Sequence, residues 1–164
     1  MATTDLAQIA EVEAQYAGPK GQPSLGRAFE MLVERWRSGS RGRETGLRLL
    51  FLAWYSCAEP ILLTGLPPTS QAALVSDLIE HFGGFSSEDA EFLVALSVMS
   101  EVAPWCLDKS RDWSGVSGSL LARSRQLLPS GFLQAHFSGR GAYGEYMFHM
   151  HSVNPQLGGV RHDG

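Results

Sequence analysis

Residues Leu47 to Tyr55 read Leu-Arg-Leu-Leu-Phe-Leu-Ala-Trp-Tyr, apolar at nearly every position. A helix wound from such a segment has no polar stripe to turn to solvent and must be covered on every side. Arg43 to about Ala58 is therefore expected as the central helix. Pro60 stops it, because the residue before a proline avoids the helical region. The rest of the chain has to supply the cover.

It has the material to do so. The 164 residues are 44% hydrophobic and 18% charged, enough for one packed domain and too apolar for disorder of the whole chain. Eighteen glycines carry no triplet period, and two cysteines cannot staple a disulfide scaffold. Leu49 to Leu66 is long enough to test as a membrane span. Glu59-Pro60 falls within it, and a central carboxylate costs about 3 kcal/mol on insertion. The Thr64-Gly65-Leu66-Pro67-Pro68 run reads as a turn, so a buried helix in a bundle is expected instead.

The covering helices can be placed by their periodicity. Leu25, Phe29, Leu32, Val33 and Trp36 share one face of a helix from about Leu25 to Arg37. Helices are also expected from Thr3 or Thr4 to about Tyr16, from Thr69 or Ser70 to Phe82, and from Ser86 to Val102. A further helix spans about Val116 to Leu128, a short one opens at Pro129 and runs through Phe137, and Ala142 to Met150 forms the last. Gly83-Gly84 supplies a left-handed cap between the fourth and fifth helices, which are expected to pair as an antiparallel hairpin. Ser86 with Asp89 resembles a capping box. No segment alternates with the period of a half-buried strand, and no repeat of 20–50 residues is present. The fold class is all-α: a single compact bundle of six to eight helices, residues 1–153, around the helix at 43–58. Residues 1–22 are expected as a loosely docked arm and 154–164 as a flexible tail.

The net charge of −4 conceals segregation along the chain. Residues 20–48 are net +4, residues 49–108 carry eight acids and no Lys or Arg, and residues 109–140 are again net +4. Asp77, Glu80, Glu88, Asp89, Glu91 and Glu101 therefore fall on a stretch with no cation of its own. Either they ion-pair with Arg35, Arg41, Arg43 or Arg123 from the flanking segments, or they form an acidic docking face for a basic partner. Arg35, Arg37, Arg41 and Arg43 with Trp36 form a small basic cluster. The acidic block opposes polyanions, so nucleic acid is not the expected partner.

Candidate chemistry centres on Trp54, Tyr55, Cys57 and Glu59. Tyr55 and Glu59 are four apart and share a helix face, where a buried carboxylate can act as a base or bind a ligand. No histidine is placed to activate Cys57. Cys57 and Cys106 lie in apolar stretches and read as thiols of the core, which points to a reducing cytoplasm. The first fifteen residues lack the pattern of a secretory signal. His149 and His151 flank Met150, but on a helix they point about 200° apart and no third ligand is near. Gly139-x-Gly141-x-x-Gly144 lacks the preceding strand that a dinucleotide loop needs and reads as a flexible loop, with an anion held by Arg140 and backbone amides as the remote alternative.

No nucleophile, base and orienter can be assembled, so no catalytic residue, metal or cofactor is assigned. The expected function is a non-catalytic protein-binding module, a regulator, adaptor or inhibitor of bacterial type. It would dock through Asp77, Glu80, Glu88, Asp89 and Glu91 and an apolar patch near Ile61–Pro68. The alternative is a small enzyme or ligand-binding protein with a pocket at Trp54, Tyr55, Cys57 and Glu59, with Trp105 or Trp113 as a lid. The expected partner is another protein, basic in character; a second copy of the chain is compatible, and a membrane is not expected.

Overall fold

The structure, a computed structural model, describes residues 4–15, 25–67, 71–154 and 157. Among these there are eight α-helices and no strand: α1 Leu6–Ala14, α2 Leu25–Arg37, α3 Arg43–Ala58, α4 Ile61–Thr64, α5 Ala72–His81, α6 Ala90–Val102, α7 Ser117–Leu127 and α8 Gly141–Val153. The all-α class holds. No helix among the described residues is long and apolar enough to cross a membrane.

Helix α3 is buried from Thr45 through Trp54, and α2, α5, α6 and α8 all pack on it. It is the centre that its composition requires. Helix α6 is buried almost as fully, from Glu91 through Ser100, with α7 along its flank. Helices α5 and α6 do not form the expected hairpin. Helix α5 lies against α3, while α6 takes α7 as its main neighbour. The Gly83–Gly84 link has two left-handed residues in a row and turns the chain sharply. It joins the two helices chiefly by stacking Phe82 on Phe92, with ring centroids 4.7 Å apart.

The α6 cap also differs from the expected box. Asp89 itself is the N-cap and accepts a bond from the Phe92 amide, while Ser87 Oγ accepts from the Asp89 amide. The segment expected as a helix from Pro129 is a loop with a short 3-10 turn at Gln134–Phe137. The expected caps at Thr3, Thr69 and Ser70, and residues 155–156 and 158–164 of the expected tail, lie outside the described residues.

Helix α1 is firmly docked, not a loose arm. Ile9 is fully buried, and Glu13 is buried with its carboxylate 2.9 Å from Arg48 Nη2 on α3. The same carboxylate accepts the Ala142 amide at the start of α8, at 2.5 Å. An acid at a helix N-terminus meets the positive end of its dipole. The anions that Arg140 holds are the chain's own Glu44 and Glu91. Gly141 has φ +68°, and a Cβ there would stand 2.7 Å from both Arg48 Nη2 and Glu13 Oε2.

Candidate functional site

Two constellations are candidates, a buried ionic hub and a surface cavity. The hub ties together the N-terminal ends of α3, α6 and α8. Glu91, in the first turn of α6, has a fully buried side chain. Its Oε2 accepts from Tyr143 Oη at 2.6 Å and lies 2.7 Å from Arg140 Nη2. Its Oε1 lies 2.6 Å from His136 Nε2 and 3.2 Å from Arg43 Nη2. Arg140 also grips Glu44 through two bonds, and Arg43 grips Asp89 through two.

This set behaves as structure. Burial alone would raise the Glu91 pKa, but hydrogen bonds from Arg140, Tyr143 and His136 outweigh it and hold the group at about 2, against an ordinary 4.5. A carboxylate with four donors on its two oxygens has little capacity left for a substrate. Burial and the Glu91 charge push the Tyr143 hydroxyl well above its usual value, so Tyr143 serves as a donor.

The hub corrects the acidic-face reading in part. Glu91 is internal and Asp89 caps α6 while pairing with Arg43, so neither stands on a docking face. Arg35 instead bonds Thr45 and the Thr4 carbonyl, Arg41 bonds the Trp36 carbonyl and lies over its ring, and Arg123 bonds the Ser86 and Ser87 carbonyls. The basic cluster is thus largely tied down by its own chain. Asp77, Glu80 and Glu88 are exposed, and no ion pair among the described residues involves them.

The cavity lies where α3 ends. Its volume is about 550 Å³, and its lining includes Ser56, Cys57, Glu59, Ile61, Trp105, Cys106 and Lys109. Two prolines shape it. Pro60 ends α3 and opens the single turn of α4, which closes at Gly65 in the left-handed conformation, φ 70°. Thr64 and Leu66 are fully buried and pin this turn from inside, with the Leu66 amide donating to Thr64 Oγ1. That leaves Ile61, Leu62 and Leu63 facing outward. Pro104 opens the 3-10 turn Pro104–Cys106 that follows α6. Trp54, deep in α3, donates its indole N–H to the Ala103 carbonyl at 3.2 Å and holds that turn in place.

Cys57 and Cys106 form a disulfide, Cα atoms 5.5 Å apart, which joins the two walls of the cavity. They are not separate core thiols as expected, and the cysteine ground for a reducing compartment falls with that reading. Both residues sit beside proline-stopped helix ends, which is why the topology brings them together. Their sequence separation of 49 gives no hint of it.

Of the four expected pocket residues, Cys57 and Glu59 line the cavity and Trp54 and Tyr55 do not. Trp54 is wholly buried. Tyr55 stacks on Phe51, ring centroids 4.9 Å apart, in an aromatic cluster with Tyr146. Burial and the Glu59 charge together raise the Tyr146 pKa. Trp105 stands at the rim. Trp113 does not: it is buried, stacks on Phe85 and donates to Asp108. Burial of Asp108 is outweighed by bonds from Ser110 and Trp113, which lower its pKa.

Among the described residues no cluster of His, Cys, Asp and Glu could hold a metal ion. His149 and His151 lie on helical α8, and His151 Nε2 is 2.8 Å from the Phe132 carbonyl.

Exposed apolar side chains stand at the cavity and on the turn beside it. Leu62 is 85% exposed, Trp105 73%, Leu63 55% and Ile61 46%. Sequence reasoning marked Ile61–Pro68 but missed Trp105 as its companion. The available signal was a tryptophan directly after a helix-ending proline. No protein-family model matches the chain, and comparisons with curated proteins and with solved structures find no match.

Proposed function

We propose that this protein binds another protein, using the apolar rim of Ile61, Leu62, Leu63 and Trp105 as the docking surface. The observation that carries the reading is the exposure of these four side chains, of which Ile61 and Trp105 line the cavity and Leu62 and Leu63 follow Ile61 on α4. Large apolar side chains held outward by a rigid turn pay little entropy on burial, and aromatic anchors of this kind dominate interfaces. The cavity accepts an apolar side chain from the partner. Glu59 at its wall, and the exposed Asp77, Glu80 and Glu88 on the molecule, favour a partner with basic residues around that anchor and speed its approach at low salt. In this reading the protein acts as a regulator, adaptor or inhibitor of bacterial type, and the buried Glu91, with four donors on its two oxygens, serves the fold. A cytoplasmic setting would expose the Cys57–Cys106 bond to reducing thiols.

The test compares the wild-type protein with Leu62→Asp and Trp105→Ala as affinity baits in lysate of the native host. The account expects one protein retained by the wild type at low salt and lost by both variants, whose melting temperatures stay within about 2 °C of it. Equal retention by all three, or none by any, contradicts it.

A second reading rests on the cavity itself, whose 550 Å³ lies in the range that holds small ligands. Under it, Glu59→Gln keeps its fold and loses a ligand that the wild type binds. A Glu59→Gln protein that unfolds makes Glu59 a structural residue.

A further inference from the structure

We propose that Cys57 Sγ is a thiol–disulfide exchange site for low-molecular-weight thiols entering through the cavity at the end of α3. The two residues of the bond are unequally exposed. Cys57 is exposed while Cys106 is 6% exposed, yet both line the cavity of about 550 Å³. An attacking thiolate needs access to the sulfur it strikes, and access separates reactive disulfides from inert ones. Exposed disulfides are the labile ones. This one presents one half to solvent, beside a space large enough for a peptide-sized thiol. Lys109 and Glu59 line the same cavity, so its walls carry one charge of each sign and access, not charge, decides which sulfur is struck.

The step balances without a further reagent. A thiolate RS⁻ attacks Cys57 Sγ and forms an RS–S bond to it. The Cys57–Cys106 bond breaks, and its electron pair leaves on Cys106 as thiolate, which takes a proton from water. A second RS⁻ attacks the external sulfur of the mixed disulfide, releases RSSR and leaves Cys57 as thiolate. Two thiols are oxidised to one disulfide, and the protein gains the two electrons. No partner protein takes part, so this proposal and the docking reading stand or fall separately.

The experiment adds reduced glutathione to the folded wild-type protein, quenches at short times with excess N-ethylmaleimide, and locates the adducts by peptide mass spectrometry. The expected early product carries glutathione on Cys57 and maleimide on Cys106, in about tenfold excess over the reverse. The measurement reads the first bond broken, so it does not depend on the opened chain staying folded. The reverse pattern, an even mixture, or a folded protein whose bond resists glutathione that cleaves it in urea would overturn the proposal. An independent check uses Cys106→Ala and Cys57→Ala with oxidised glutathione. The Cys57 thiol of the first should react about tenfold faster than the Cys106 thiol of the second, and equal rates would again overturn the proposal.

Discussion

Glu91→Gln tests the ionic hub, because it keeps the shape of the side chain and removes its charge. In the folded protein Glu91 has a pKa of about 2 against an ordinary 4.5. A carboxyl whose folded pKa lies below its unfolded one stabilises the fold fully above the unfolded value. The contribution then disappears as the pH falls through the folded value. At 1.36 kcal/mol per pH unit, the difference amounts to about 3 kcal/mol at neutral pH. The cost of leaving the largely buried Arg140 short of a buried partner is of the same order, about 3 kcal/mol. Within a total stability of roughly 5–15 kcal/mol for a domain, this is a large fraction. It should lower the melting temperature by about 6–12 °C. Urea titrations of both proteins at pH 7, 5, 3.5 and 2.5 provide the assay. The gap between them should be near its full size at pH 7 and 5, fall to roughly 60% of it at 3.5, and to about a quarter at 2.5, closing only below the folded pKa of about 2. A gap that is constant with pH, or absent at pH 7, refutes the reasoning, because the Glu91 charge would then not be what the donors stabilise.

Other perturbations read other parts of the molecule. Removing the disulfide in a Cys57→Ser/Cys106→Ser double variant releases a loop closed across 49 residues and should cost about 4 kcal/mol in urea; reduced wild-type protein should then match the variant. Gly141→Ala combines a left-handed backbone with a Cβ 2.7 Å from the Arg48–Glu13 pair. It should lose more than about 1 kcal/mol, measured as a shift in the urea midpoint at unchanged slope. Asp77→Asn/Glu80→Gln/Glu88→Gln, at exposed positions with no ion pair among the described residues, should leave stability within about 0.5 kcal/mol. The same triple variant should slow partner association and flatten its salt dependence, read by surface plasmon resonance at two salt concentrations.

The sequence carries the local architecture well and the long-range chemistry poorly, for physical reasons. Helices α2 and α3 begin and end where periodicity, Gly42 and Pro60 place them, because those signals act within one or two turns. The central position of α3 follows from its all-round apolar surface. The α5–α6 hairpin failed because a short link constrains only where two helices meet. Which faces then pair is decided by distant residues such as those of α7. The disulfide was hidden for the same reason: two cysteines 49 apart meet only once α3 and α6 have packed. The ionic hub left one faint trace. Glu91 is an acid in the first turn of α6, followed by the apolar run Phe92–Leu96, and such a carboxylate must find donors when it is buried. Its reading as a docking residue came from charge summed along the chain, which does not distinguish a solvated acid from an enclosed one. Likewise Trp54 and Tyr55 lie within a turn or so of Glu59, yet a helix turns them inward while Glu59, past its end, reaches the cavity wall.

The docking claim is tested most directly by placing a photo-crosslinking benzoylphenylalanine at Leu62 and, as a control, at the exposed Ala122 on α7, in protein expressed in its native host. The account predicts one discrete adduct on irradiation from position 62, absent from position 122 and abolished when Trp105→Ala is added. No adduct from position 62, or the same adducts from both positions, contradicts it.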